Sequence, residues 1–348
     1  MKVTQHRREG FAEIWEFAEP AAQFHAFIAL HDLSLGPALG GVRIRPYPDS
    51  AVALEEVLRL ARQMTFKAAV ARLPFGGGKA VVLLPTGSYD RAALMTRFGK
   101  AIESLRGRYI TAKDVGSSET DMALIAQETS YVTGLPQALG GKGDPSPLTA
   151  YGVFLGIGAG RKFLGDDRTW NEYRVGIQGL GGVGGHLAKE LIRAGARVWA
   201  TDTHPEKFQT ACQSEELHPC GPEEIYDLPV DCFSPCALGQ ILNSQTIPRL
   251  QVHLVAGGAN DQLADEKVHA GALKERRILY APDFVINCGG LIHVAYERLG
   301  KVGEQARVKV QEVASTLQEI FSDSHKTQCS THESALRVAK SRLESKGR

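Results

Sequence analysis

The strongest periodic signal in the chain begins at Ser50. Leu54, Val57, Leu58, Ala61, Met64 and Ala68 recur at steps of three and four, with Glu55, Glu56, Arg59 and Arg62 between them. That spacing predicts an amphipathic helix, with Asp49 or Ser50 as its N-terminal cap. On either side the pattern shortens to strand-like runs, at Phe27–Leu30, at Ala80–Leu84 and in YITAKD ending at Asp114. The Gly- and Pro-dense stretch GLPQALGGKGDPSP (134–147) then punctuates the chain. Beyond it the alternation becomes regular: a strand at Arg174–Gln178, a helix at Val183–Ala194 and a strand at Arg197–Asp202. Further strand candidates are Val230–Phe233, Leu254–Ala256 and Ile278–Tyr280. Short apolar runs alternating with helical patterns imply a parallel, doubly wound sheet. From Glu304 to Arg348 the chain reads as mostly helical and charged.

A length of 348 residues suits two domains, which fits a break at 134/135. The composition is 43% apolar and 23% charged, and 40 basic side chains stand against 39 acidic ones. That balance argues against a nucleic-acid binder, whose basic face would dominate. The opening MKVTQHRREGF leads into no apolar core of a secretory signal, and no apolar run approaches the ~18 residues of a membrane span. The expectation is a cytoplasmic protein. Six cysteines (212, 220, 232, 236, 288 and 329) lie in the second half. Cys232 and Cys236 have no second pair at zinc spacing, so the reading is reduced thiols and no metal.

The segment RVGIQGLGGVGGHLAKELIRAGARVWATD carries the sharpest motif. Gly179, Gly181 and Gly184 form G-x-G-x-x-G, a weak signal alone in a chain with 37 glycines. Its context strengthens it: a strand precedes, an amphipathic helix follows, and a second strand ends in Asp202. Gly179 permits the tight turn, Gly181 lets backbone approach a pyrophosphate, and Gly184 lets helix and strand pack closely. The helix N-terminus offers free N–H groups to the phosphates. A carboxylate at Asp202 accepts from ribose hydroxyls and repels a 2′-phosphate, which favours NAD over NADP. His204 and Lys207, just beyond, soften that discrimination.

A nicotinamide site leaves the reaction open. Amination chemistry needs a cation for the α-carboxylate, a base to activate water against an imine, and a group that moves protons on nitrogen. Lysine suits the base role where burial near other cations lowers its pKa. Lys67 lies in MTFKAAVA, where its neighbours leave it either an exposed helix residue or a ligand. Lys79 follows three glycines and opens an apolar strand, an odd place for a merely solvated lysine. Asp114 is placed to carry protons, although such a residue alone is more often a turn or cap.

These segments resemble the glutamate/leucine/phenylalanine/valine dehydrogenase family, and within it the leucine, valine and phenylalanine branch. The matching pieces occur in order: LGPALGGVR (35–43), RQMTFKAA (62–69), GGGKAV (76–81), YITAKDVG (109–116), SPLTAYGVFLG (146–156), QGLGGVGGHL (178–187), SPCALGQILN (234–243), VAGGANDQL (255–263) and YAPDFVINCGGLI (280–292). The resemblance implies an α/β protein with an N-terminal catalytic domain (1–134) and a Rossmann-type NAD domain (135–324) separated by a cleft. The C-terminal helices (325–348) are expected to pack back on the first domain. It further implies that Lys67 binds the substrate carboxylate, Lys79 is the general base and Asp114 exchanges protons with nitrogen. Gly40 and Gly41 would line the substrate site with Met64. Thr149 and Asn287 would orient the nicotinamide carboxamide, and Asn260 would contact its ribose. Gly182, Val183, Thr203, Cys236, Ala237 and Ala259 would complete the NAD site. The implied reaction converts an L-amino acid reversibly to the 2-oxo acid and ammonia, in a homo-oligomer.

Members selecting glutamate carry a lysine where this chain has Leu39, and a serine at the position of Val294. A buried carboxylate facing two apolar side chains would go uncompensated, so the implied substrate is apolar. Leu39, Ala112, Leu291 and Val294 should line its side-chain pocket. Leu291 is larger than its counterpart in phenylalanine enzymes, which favours leucine, valine or isoleucine. His293 is similar to the phenylalanine enzymes, and tryptophan-preferring relatives keep a leucine at 291, so an aromatic substrate is the alternative. A third reading, an idle nucleotide-binding relative, is opposed by the retention of Lys67, Lys79 and Asp114 together. Cys288 stands in place of the usual alanine. Lys113 also departs from the pattern, and if turned inward it would favour the carboxylate form of Asp114.

Overall fold

The computed structural model describes residues 1–204, 206–211, 216–237, 239–301 and 303–345. Contacts divide the chain into two units. The first is Met1–Asp144 with Leu291–Ala306 and the residues from Ala339 on; the second is Pro145–Gly290 with Arg307–Val338.

The first unit is built on a mixed sheet of β1 (Lys2–His6), β2 (Glu13–Glu19), β3 (Phe24–Asp32), β4 (Ala38–Arg45), β5 (Gly76–Leu83) and β6 (Tyr109–Lys113). The order is β1-β2-β3-β5-β4-β6, antiparallel through β3–β5 and parallel from there to β6. The predicted helix is α1 (Ser50–Val70), and Asp49 caps it by accepting from the Val52 N–H. Its Ala53, Val57, Leu58 and Ala61 pack on Ile14, Phe27, Ala29 and Val81. The opposite sheet face, with Ile28, Val42, Ala80 and Val82, takes Leu94, Phe98 and Ile102 of α2 (Arg91–Ser104). Met122 and Ile125 of α3 (Glu119–Ala126) join the same core. Alternation along β5 thus sends Ala80 and Val82 to one core, and Lys79 and Val81 to the α1 side.

The second unit has six parallel strands: β7 (Arg174–Gln178), β8 (Arg197–Thr201), β9 (Leu217–Pro219), β10 (Cys232–Pro235), β11 (Leu254–Val255) and β12 (Leu279–Tyr280). Their order, β12-β11-β10-β7-β8-β9, reverses direction between β7 and β10. That is the doubly wound sheet with its switch point, where ligands bind at the carboxyl ends of the strands. The helices in chain order are α4 (Ser146–Phe163), α5 (Gly182–Ala194), α6 (Glu206–Ala211), α7 (Glu266–Glu275), α8 (Asp283–Ile286), α9 (Gly289–Arg298), α10 (Gly303–Val310), α11 (Glu312–Thr327) and α12 (Thr331–Glu344).

The division falls at 144/145 rather than 134/135. The Gly-rich stretch is fastened within the first unit, where the Glu297 carboxylate of α9 accepts from the N–H groups of Gly134 (2.7 Å) and Lys142 (3.0 Å). Residues 291–306 therefore group with the first unit rather than with an unbroken 135–324 segment. Of the tail expected to pack back from 325, only the part from Ala339 does so, where Arg342 donates to the Val70 carbonyl (2.5 Å). The rest stays in the second unit because α11 packs on α4: Phe321 lies against Phe163, and Gln318 donates to the Ala159 carbonyl.

Cys220, Cys232, Cys236, Cys288 and Cys329 are free thiols, and Cys212 lies outside the described residues. Among the described residues no group of His, Cys, Asp or Glu is arranged to hold a metal, and no helix is long and apolar enough to cross a membrane.

Candidate active site

In the first unit, strand register gathers the chemistry. Lys79 lies directly opposite Ala29, so it shares the face covered by α1. Gly41 pairs with Ala112, two residues before Asp114. The Lys79 side chain is 8% exposed and its Nζ lies 2.9 Å from Asp114 Oδ2. Leu39 and Ala112 are buried, and Met64 and Lys67 stand one turn apart near the end of α1, both half-buried.

Glycine makes this packing possible. β4 pairs with β5 at Leu39–Gly77 and again at Val42–Ala80, but not at Gly40 and Gly41 between them. The Gly40 carbonyl instead accepts from the buried Tyr109 hydroxyl at 2.6 Å. A Cβ on Gly41 would stand 2.8 Å from Asp114 Cβ, and one on Gly77 would stand 2.1 Å from Thr65 Oγ1 of α1. A Cβ on Gly40 would meet the Gly78 carbonyl oxygen and come to 3.4 Å from Met64 Cγ.

Burial alone would raise the Asp114 carboxyl, but Lys79 and Arg43 more than offset it and hold the group below the usual carboxylate range. Arg43 Nε lies 3.3 Å from Asp114 Oδ2, and its Nη1 donates to Glu56 Oε1 of α1 at 2.6 Å. The cation expected beside Asp114 was Lys113. That side chain is exposed and turned toward Glu119, with Nζ at 3.7 Å, because it is the last residue of β6 and alternation sends it away from Asp114. Sequence reasoning missed Arg43, although it closes the LGPALGGVR motif.

Leu291 and Val294 stand one turn apart on α9, with Leu291 buried and Val294 half-buried. His293 lies on another side of that helix from Leu291. Its ring is buried against the Gly143 backbone and near Glu297, and burial lowers its pKa. The comparison of His293 with phenylalanine enzymes therefore does not bear on the Leu291 face.

In the second unit the expected residues converge on the switch point. Gly179 sits at φ +94°, in the left-handed region that favours glycine, and a Cβ there would strike Ala237. A Cβ on Gly184 would stand 1.9 Å from the Gly179 carbonyl oxygen and 3.1 Å from Cys236 Cβ. Gly181 has nothing within 4 Å of where a Cβ would go, so its backbone borders open space. Gly182 begins α5 and lies against Ser146 of α4, and Val183 lies against Gly258. The Cys236 sulfur accepts from the Gly258 N–H at 3.5 Å, while burial pushes that thiol's pKa up. The Ala259 N–H donates to the Pro235 carbonyl, and the Thr149 hydroxyl to the Pro145 carbonyl. Asn287 Nδ2 donates to Asn260 Oδ1 (2.8 Å) and to the Ala259 carbonyl (3.1 Å). Asn287 Oδ1 is buried with no hydrogen-bond partner among the described residues. A buried amide oxygen without a donor fits a ligand that supplies one.

Asp202 follows β8. Its Oδ2 accepts from the Leu180 N–H (2.8 Å) and its Oδ1 from the His204 N–H (2.9 Å), with Lys207 Nζ at 3.0 Å from Oδ1. Burial opposes ionisation, but these donors prevail and lower its pKa. Thr203 is exposed, with its hydroxyl 3.0 Å from His204 Nδ1. The residues present thus fit a dinucleotide: a glycine turn beneath a helix N-terminus, a carboxylate after the second strand, and an amide oxygen lacking a donor.

Two family models match the chain. One, described as Glu/Leu/Phe/Val dehydrogenase, dimerisation domain, covers residues 15–131, and the Glutamate/Leucine/Phenylalanine/Valine dehydrogenase model covers 202–344. The chain is 42% identical over 320 residues to leucine dehydrogenase of Geobacillus stearothermophilus, covering 92% of this chain and 87% of the relative. It is 42% identical over 322 residues to L-tryptophan dehydrogenase of Nostoc punctiforme, covering 92% and 90%. It is 40% identical over 348 residues to phenylalanine dehydrogenase of Lysinibacillus sphaericus, covering 99% and 90%. The crystal structure of the Nostoc punctiforme enzyme aligns with a TM-score of 0.85 over 97% of both chains, at 39% identity.

Proposed function

Because the chain belongs to the Glu/Leu/Phe/Val dehydrogenase family and is an amino-acid dehydrogenase, we propose that it oxidises a branched aliphatic L-amino acid to its 2-oxo acid with NAD. The observation that carries this reading is the buried contact between Lys79 and Asp114, on a sheet face that also carries the buried apolar side chains Leu39 and Ala112. A polar, proton-moving pair beside apolar walls suits a substrate with a reacting amino group and an apolar side chain.

In this reading Lys67 holds the α-carboxylate by charge. Asp114, kept as a carboxylate, accepts a proton from the substrate ammonium, which leaves the amine able to release its Cα hydride. NAD, when bound, supplies the hydride acceptor. Asn287 Oδ1 and Thr149 would orient the nicotinamide carboxamide, Asn260 would contact the nicotinamide ribose, and Gly179, Gly181, Gly184 and Asp202 would hold the pyrophosphate and the adenosine ribose, with Gly182, Val183, Thr203, Cys236, Ala237 and Ala259 around them. Water then attacks the imine carbon. With Asp114 protonated, Lys79 as the neutral amine takes a proton from that water to give the carbinolamine. Asp114 then gives its proton to the nitrogen, and as ammonia leaves and C=O forms, the carbinolamine hydroxyl proton passes to the Asp114 carboxylate and on to solvent. The same residues run the steps in reverse. A cytoplasmic homo-oligomer is part of the proposal.

Leu39 and Val294 offer no cation to a side-chain carboxylate, which argues against glutamate. Leu291 narrows the pocket in favour of leucine, valine and isoleucine. The aromatic reading is supported by equal identity to the tryptophan dehydrogenase, and one methylene is worth only ~1–3 kcal/mol, so preference should be graded. The test is NADH formation across the twenty L-amino acids at alkaline pH. Fastest turnover with a branched aliphatic substrate is the expected result. A tryptophan or phenylalanine optimum would overturn the pocket argument, and no turnover with any would overturn the reaction.

A further inference from the structure

Arg43 takes no part in the cycle above, yet it bridges the reacting carboxylate to α1. Its guanidinium uses Nε toward Asp114 Oδ2 and Nη1 toward Glu56 Oε1, and Arg45 holds the other oxygen of Glu56. Both anions are largely enclosed, Asp114 at 17% and Glu56 at 10% side-chain exposure. The same strand supplies the room: Gly41, two residues earlier and on the same face, is where a Cβ would collide with Asp114. Lys79 approaches the same Oδ2 from β5. The Val115 N–H also bonds this carboxylate, and Arg43 adds a planar donor fixed at its far end, which restricts the rotation that an ammonium alone would permit.

We propose that Arg43, clamped by Glu56, is a positioning residue that fixes the Asp114 carboxylate against Lys79. The inference rests on the reading of Asp114 as the proton carrier. The groups that face Asp114 are Lys79 from β5, Arg43 from β4 with Glu56 of α1 behind it, and Tyr109 from its own strand. The Tyr109 hydroxyl donates a hydrogen bond to the Gly40 carbonyl, Lys113 is turned to Glu119, and Ser117 bonds the Asp114 backbone. Among the described residues Arg43 is thus, with Lys79, one of the two cations in contact with this carboxylate, and charge and clamp can be separated by substitution.

The experiment measures kcat, KM and their pH dependence for Arg43→Gln, Arg43→Lys, Glu56→Gln and Asp114→Asn in the full chain, with thermal melts for folding. Arg43→Gln removes a cation, so the Asp114 pKa rises and the acidic limb of kcat/KM moves up by about one pH unit. Its kcat should fall about tenfold or more while KM changes little, since only a step after binding is affected. Arg43→Lys and Glu56→Gln keep a positive charge at 43 but break the clamp, so kcat should fall with the limb in place. A limb that follows the charge and a kcat that follows the clamp is the expected signature. A merely structural contact would lower the melting temperature and leave both unmoved. If Asp114→Asn is inactive while Arg43→Gln keeps its kcat and limb, this inference alone fails; if Asp114→Asn turns over normally, the reading beneath it fails. Should Arg43→Gln not fold, an unchanged kcat in both of the other two variants rejects the clamp.

Discussion

The two units each contain a glycine-rich segment, and the two put the absence of a Cβ to different uses. In β4 and β5, Gly41 makes room for the Asp114 side chain and Gly77 for the hydroxyl and backbone of Thr65 on α1, beside a lysine and two carboxylates in ion pairs. At the end of β7 the glycines let backbone meet backbone. Gly184 lies over the Gly179 carbonyl, and Gly181 borders open space at the start of α5. The first region should therefore respond to changes of charge and pH. The second should respond to changes of shape and be nearly indifferent to titration. Replacing Lys79 gives the sharpest test. Lys79→Ala should lower turnover by about 10²–10⁴-fold, the range for loss of a positioned acid or base. NAD affinity, followed by fluorescence titration, should stay as it was. Near-wild-type turnover would remove Lys79 from the base role.

A matched pair of substitutions asks whether the two uses of glycine are distinct. Gly41→Ala and Gly184→Ala each add one methyl group, and overpacking of this kind costs roughly 1–3 kcal/mol. Each should therefore cost about tenfold or more in its own function. Gly41→Ala pushes on the Asp114 side chain and should reduce kcat while the dinucleotide still binds. Gly184→Ala pushes on the turn itself and should weaken dinucleotide binding. If Gly41→Ala proves to be the binding mutant, or Gly184→Ala the turnover mutant, the contrast is wrong.

The same contrast explains what could be read from the chain. The second unit was legible because its strands are short apolar runs separated by helices, and each predicted strand appears within two residues of its expected ends. In the first unit α1 was legible from its 3.6-residue period, but β4 was not. Its ALGGVRIR places two glycines where a strand pattern needs side chains, and those glycines matter because they interrupt the pairing with β5. Lys79 was flagged by its odd position, and Asp114 by ending a strand. The Arg43–Asp114 contact joins residues 71 apart, which no local spacing encodes. Lys113 misled for the converse reason: it is adjacent in sequence and opposite in direction. The break at 134/135 failed because Gly and Pro mark a turn but do not say which helix ties it down; Glu297, far along the chain, does.

The smallest effect tests the second region at the point where it does carry charge. Asp202 is ionised and accepts from two backbone N–H groups, yet Lys207 lies 3.0 Å from one of its oxygens. An isolated carboxylate there would repel a 2′-phosphate, and a neighbouring ammonium reduces that repulsion. The Lys207 side chain is 36% exposed, so the screening should itself be sensitive to salt. Asp202→Asn should raise the ratio of kcat/KM for NADP over NAD, by about tenfold if one unit charge is removed at close range. Lys207→Ala should lower that ratio by a smaller factor, and the gap between the two variants should narrow as ionic strength rises. Equal ratios in wild type and Asp202→Asn would mean that the carboxylate does not face the ribose. A dinucleotide region indifferent even to this charge would then recognise its ligand through backbone and shape alone.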